Sequence, residues 1–107
     1  MSHGITNGNA AGVYVVSLTV DPASVATITT VEQTFTLNGV KVGDMIFANK
    51  PSCTTGLGIA GVRATAANTV GVTFVNPTAG SVDAASETWN FLVVRPERGV
   101  AATLIAD

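Results

Sequence analysis

The sequence predicts a single all-β domain, an antiparallel β-sandwich or small barrel of about 6–8 strands with extended terminal arms. Val, Thr, Gly and Asn are frequent, and no stretch of about eleven residues repeats apolar side chains at helical spacing. Short β-branched segments are instead separated by turn residues roughly every 8–12 positions. The length of 107 residues suits one domain, which buries roughly two-thirds of its unfolded surface.

Six or seven segments have the composition of strands, with β-branched or alternating side chains bounded by turn residues. In chain order they are residues 13–20, 24–31, 32–37, 45–49, 59–67, 68–77 and 88–96. In the last of these, Trp89, Phe91 and Val93 share one face. Residues 92–94 are apolar on both faces, which predicts a central strand or a subunit contact.

Residues that favour turns separate the predicted strands. They are Asn38, Gly39, Gly43, Asp44, Pro51, Asn76 and Pro77. Glycine accepts a positive φ, so Gly39 and Gly43 suit tight turns. The short side chain of Asp44 can bond nearby backbone amides, and Pro51 ends the pairing of the strand before it. The stretch from Gly43 to Pro51 is therefore predicted to be architecture rather than an active site.

The scarcity of charge predicts that part of the surface is covered by other proteins. Charged residues make up 11% of the chain, against roughly 25% in a typical soluble domain. Charges keep isolated monomers soluble and protect sheet edges, so a chain with few of them suits an oligomer or an assembly subunit. Residues 1–12 are predicted to be a flexible arm beside the 13–96 sandwich domain. The apolar tail, residues 97–107, is expected to dock on the same chain or a neighbour.

The candidate interface combines apolar strand residues, arginines and the tail. Its members are Arg63, Leu92, Val94, Arg95, Leu104 and Ile105. An arginine in a chain with so few charges often pairs with a carboxylate, for which Asp44 and Glu87 are possible partners. Such pairs could lie across a subunit interface, where arginine is enriched.

Several classes of partner are not expected. The net charge is −2 and the basic residues are scattered, so no patch suits nucleic acid. No apolar run approaches the about 20 residues of a membrane span. The N-terminus has no basic segment followed by an apolar core, so export by a secretory signal is not expected.

Catalysis, metal binding and cofactor binding are not expected either. Cys53 is the only cysteine and His3 the only histidine, too few for the three or four ligands of a zinc site. A thiol nucleophile needs a base, and His3 lies in the predicted arm. Cys53 is therefore interpreted as a small buried or semi-buried filler. A glycosidase pair of Asp44 and Glu87 is the weakest alternative.

Aromatic residues leave one alternative open. All six lie in predicted strands and are core residues by default. A carbohydrate-binding or receptor-binding module would instead display Trp89 or Tyr14 in a shallow groove. Trp89 is the candidate ligand platform.

Residues 34–96 resemble small virion proteins of tailed bacteriophages. The resemblance lies in a Gly-Asp turn before a strand that ends in Asn-x-Pro, then "GLGI", an Arg-bearing strand, "NPTAG" and "ETWNFLVVRP". It implies a capsid decoration or cement subunit on the virion surface, or a fibre-type subunit. It also implies a homo-oligomer, with a trimer favoured, made in the host cytoplasm and bound to the major capsid protein.

Overall fold

The computed structural model describes residues 10–97. Within that range six antiparallel strands form two three-stranded sheets, which confirms the predicted all-β sandwich. The strands are β1 (Ala10–Val20), β2 (Thr29–Thr36), β3 (Met45–Asn49), β4 (Gly58–Ala66), β5 (Thr69–Asn76) and β6 (Glu87–Pro96). The first sheet has the order β1-β6-β3 and the second the order β2-β5-β4.

The core lies between the two sheets and is built mainly from their central strands. The buried residues of these strands are Val70, Val72 and Phe74 of β5 and Trp89, Phe91 and Val93 of β6. The ring of Trp89 meets Phe74 edge-on at 6.2 Å and stacks on Phe91 at 6.0 Å between ring centroids. The prediction that β6 is a central strand is confirmed.

Three features of the predicted strands differ from the structure by more than one residue. The predicted segments 24–31 and 32–37 contribute to one strand, β2 (Thr29–Thr36), rather than two. β1 begins at Ala10, so residues 10–12 belong to the sheet rather than to an arm. Residues 24–28 are not a strand, because Ile28 has a φ of 47° and turns the chain before β2 begins at Thr29. Only Val25 pairs there, through an isolated bridge with Val82. The predictions for residues 1–9, for the tail beyond Glu97 and for Leu104 and Ile105 lie outside the described residues.

The connection between β2 and β3 confirms its turn residues. Gly39 and Gly43 have φ values of 99° and 102°, a region in which most side chains are strained. Asp44 caps the second turn, since its Oδ2 accepts a hydrogen bond of 2.9 Å from the backbone N–H of Lys41. This connection lies beside β6, where Arg95 holds it.

Candidate binding face on the outer side of the first sheet

The outer side of the first sheet carries an apolar surface, the outer apolar face. Its members are Val13 and Val15 of β1, Leu92 and Val94 of β6, and Met45 and Phe47 of β3. Side chains alternate between the two sides of a strand. Burying Trp89, Phe91 and Val93 therefore leaves Leu92 and Val94 outside.

Strand register assembles these residues into two rows. Val94 lies between Val13 and Met45, and Leu92 lies between Val15 and Phe47. The side chain of Val15 is 71% exposed and that of Phe47 58% exposed.

The next rows of the same face are polar but uncharged. Asn90 lies between Ser17 and Asn49 in the register, and Ser17 Oγ donates to Asn90 Oδ1 at 2.6 Å. Thr19 and Thr88 form the last row. An exposed apolar patch bordered by neutral hydrogen-bonding groups is typical of a protein interaction surface. These rows contain no charged side chain, so they contribute no ionic interaction to binding.

Charged side chains instead form ion pairs that join different segments of the molecule. Arg95 forms two hydrogen bonds with Asp44, of 2.9 and 2.7 Å, and donates a third to the carbonyl of Gly39 at 2.7 Å. These contacts fix the β2–β3 connection to β6. Asp44 is thus confirmed as the partner of Arg95, and the pair forms within one chain.

Two more ion pairs within the described residues also join segments of one chain. Lys50 Nζ lies 2.6 Å from Glu87 Oε1, which ties the end of β3 to the start of β6. Arg63 of β4 pairs with Glu32 of β2 at 2.8 Å. Arg63 and Glu32 meet across the central strand β5, over Gly71. A Cβ added at Gly71 would lie only 2.5 Å from Glu32 Oε2, so the glycine leaves room for the ion pair.

The Asp44 carboxyl titrates below its usual range. The hydrogen bonds from Arg95 are the main cause of this lowered pKa, and the Lys41 N–H contributes, while burial acts in the opposite direction. A carboxyl with a lower pKa in the folded state stabilises the fold above its unfolded pKa of about 3.9. That contribution is lost as the pH falls through the folded-state pKa.

We therefore expect Asp44→Asn to be less stable than the wild type near pH 7, with a gap that shrinks below about pH 4. Urea denaturation midpoints of both proteins across pH measure this gap. The lowered pKa values of Glu32 and Glu87 are common to both proteins and cancel in the comparison. A gap of constant size from pH 7 to pH 3 would contradict the role given to Asp44.

The structure separates the residues singled out in the sequence. Leu92 and Val94 lie on the outer apolar face, whereas Arg63 and Arg95 are engaged within the chain. The alternative of Trp89 as a ligand platform is wrong, because its side chain is 0% exposed and packed between Phe74 and Phe91.

Two further findings concern residues that the sequence misjudged or did not single out. Cys53 is exposed in the β3–β4 connection rather than buried, so its interpretation as a filler is wrong. Val13, Val15, Met45 and Phe47 were missed as surface residues. The strands that carry them are apolar on both sides, so alternation alone does not say which side is covered.

Tyr14 lines an open cavity of about 300 Å³ at one end of the sandwich. Asn38, Val40 and Arg95 also line it. The side chain of Tyr14 is 46% exposed, and the Arg95 guanidinium lies 5.6 Å from the centre of its ring. The rest of the wall is mainly valine side chains, so the cavity offers one aromatic ring and few polar groups.

Residues 10–97 contain no group of three or more His, Cys, Asp or Glu side chains placed to hold a metal ion. The same part of the chain has no helix that is long and apolar enough to cross a membrane. Comparisons of the chain with protein-family models, with curated proteins and with solved structures find no match.

Proposed function

We propose that this chain is a structural subunit that binds another protein through the outer apolar face. The observation that carries the proposal is the pair of aligned apolar rows, Val13-Val94-Met45 and Val15-Leu92-Phe47, on the outer side of the first sheet. All of these side chains are exposed except Val94, which is half-buried. Contiguous exposed apolar side chains are a feature of protein interaction sites, and here the strand register aligns six apolar residues. Binding then depends on apolar burial and shape rather than on chemistry.

The partner we propose is the surface of a bacteriophage capsid, with the chain acting as a decoration or cement subunit. Two features support it: the resemblance of residues 34–96 to small virion proteins, and the scarcity of charge in the whole chain. A sandwich whose strands and connections are joined by internal ion pairs also suits a mechanical role. Copies that are joined in an oligomer would also bind a symmetric particle with avidity.

Oxidation of Met45 provides a direct test, because the residue is exposed in the apolar rows. Mild peroxide converts exposed methionine to the sulfoxide. We expect Met45 to be oxidised readily in the free protein and to be protected after mixing with empty capsids that lack this subunit. Mass spectrometry of the digested protein measures both rates.

Cys53 serves as the control, since it is exposed in the β3–β4 connection and is not a member of the apolar rows. Its alkylation rate is expected to stay the same in free and bound protein. Binding with equal Met45 oxidation in both states would overturn the assignment of this face. Absence of any binding to capsids would overturn the choice of partner.

The second candidate is a carbohydrate-binding or receptor-binding module of a fibre. The observation that favours it is the exposed ring of Tyr14 in the cavity beside Asn38. A glycan array distinguishes the two functions: a bound glycan that Tyr14→Ala abolishes would support the module. A sandwich subunit that works through its outer apolar face gives no glycan signal.

A further inference from the structure

Among residues 10–97 the two sheets leave four edge strands, and three of them carry features that discourage pairing with another molecule. Unpaired edges attract other strands, and proteins protect them with charges, bulges, short length or covering chain. β3 is only five residues long and is followed by Lys50 and Pro51. β4 carries Arg63 and two register shifts. β2 carries Glu32.

β1 has none of these protections over most of its length. It is the longest strand, with 11 residues, and contains no charged residue and no proline. Its register shift lies at the beginning, between Ala10 and Gly12, so residues 13–20 form an unbroken edge. Within residues 10–97, β1 pairs with β6 alone. The edge also borders the apolar rows through Val13 and Val15.

We propose that β1 pairs antiparallel with β1 of a second copy and forms a two-fold dimer. Directly opposed residues of an antiparallel pair point to the same side of the sheet. A two-fold axis perpendicular to the sheet therefore keeps both outer apolar faces on one side. In the register we assign, Val13 lies opposite Val15 of the partner subunit, which pairs β-branched residues on the exposed side.

The dimer would also enlarge the apolar face. Three strands about 4.8 Å apart and four residues of about 3.4 Å rise give a footprint of roughly 200 Å². A standard protein interface buries about 800 Å² on each partner. Joining β3-β6-β1 to the same three strands of a second copy doubles the continuous face. The dimer can be tested separately from the capsid proposal, because its tests use the purified protein alone.

Hydrogen exchange at single residues tests the pairing. In a monomer, alternate amides of residues 13–19 point away from β6 and exchange quickly with solvent. In the register we assign, residues 13–15 lie opposite residues 13–15 of the partner subunit. Every amide from Val13 to Val15 is then bonded, so protection over that stretch becomes consecutive. Light scattering is expected to give twice the 10.8 kDa of the chain.

Two double variants test the register with the same loss of apolar surface. Val13→Glu with Val15→Glu places like charges opposite each other across the two-fold axis, and we expect a monomer. Val13→Lys with Val15→Glu places opposite charges there, and we expect the dimer to persist at low salt and weaken as salt is added. Circular dichroism confirms that each variant is folded.

Each outcome decides the proposal. A dimer with consecutive protection and rescue by opposite charges supports it. A monomer at all concentrations, a trimer, or a dimer whose β1 amides keep alternate exchange overturns it. Equal loss of the dimer in both variants would also overturn it, since contact through the faces predicts that result.

Discussion

Replacing Asn76 with alanine is expected to lower the free energy of unfolding by about 3 kcal/mol or more. The residue is fully buried at the end of β5. Its Nδ2 donates to the carbonyls of Val25, Ala26 and Gly80 at 2.9–3.1 Å. Its Oδ1 accepts from the N–H and the hydroxyl of Thr78 at 2.9 and 2.6 Å. Removing the amide leaves buried groups unpaired, at about 1–3 kcal/mol each.

Urea denaturation of three variants tests this role. Asn49→Ala is the matched control, because Asn49 is an exposed asparagine at the end of β3, and we expect a change within about 0.5 kcal/mol. Thr78→Val removes one of the two donors to Asn76 and is expected to give an intermediate loss. If Asn76→Ala were no more destabilising than Asn49→Ala, the residue would not hold the loops together.

Replacing Phe47 with lysine is expected to weaken capsid binding by at least about tenfold per site, which corresponds to about 1.4 kcal/mol. Burying a phenylalanine side chain in full contributes about 1.5–3 kcal/mol. A lysine in the same place also leaves a charge without a partner at an apolar contact.

The free protein is expected to tolerate this change. Phe47 is 58% exposed and lies outside the core, so the lysine ammonium remains in water until the face is covered. Thr30→Lys is the matched control. Thr30 is an exposed residue on the outer side of the second sheet, opposite Val75 in the register. Both variants add one positive charge, so a general electrostatic effect would appear in both.

Much of the fold follows from residue periodicity. Alternation in residues 88–96 placed Trp89, Phe91 and Val93 on one side, and all three are buried. The apolar run at residues 92–94 predicts a central strand or a subunit contact, and β6 is the central strand of its sheet. The tolerance of glycine for positive φ predicts turns at Gly39 and Gly43, and both residues have positive φ values in the structure.

The candidate site was harder to predict, because it depends on how the sheets face each other. Val13 and Val15 are as apolar as Val16 and Leu18 on the other side of β1. Which side packs against the second sheet is decided by residues far away in the sequence. Only the register with β6 shows that Val15 belongs on the same side as Leu92.

Ion-pair partners show the same limit. Glu87 was considered as a partner for an arginine, yet it pairs with Lys50. Arg63 reaches Glu32 because β2 and β4 flank β5 and Gly71 leaves room between them. The sequence shows that residue 71 is a glycine but does not give the strand order. The contact between Arg63 and Glu32 therefore could not be predicted from it.

Capsid binding by Phe47→Lys beside Thr30→Lys tests the central claim most directly. Each purified protein is mixed with empty capsids, and the bound fraction is measured after sedimentation across a range of concentrations. The outer apolar face predicts that Thr30→Lys binds like the wild type and that Phe47→Lys requires at least about tenfold more protein for half-occupancy. Equal binding by both variants would show that this face does not contact the capsid.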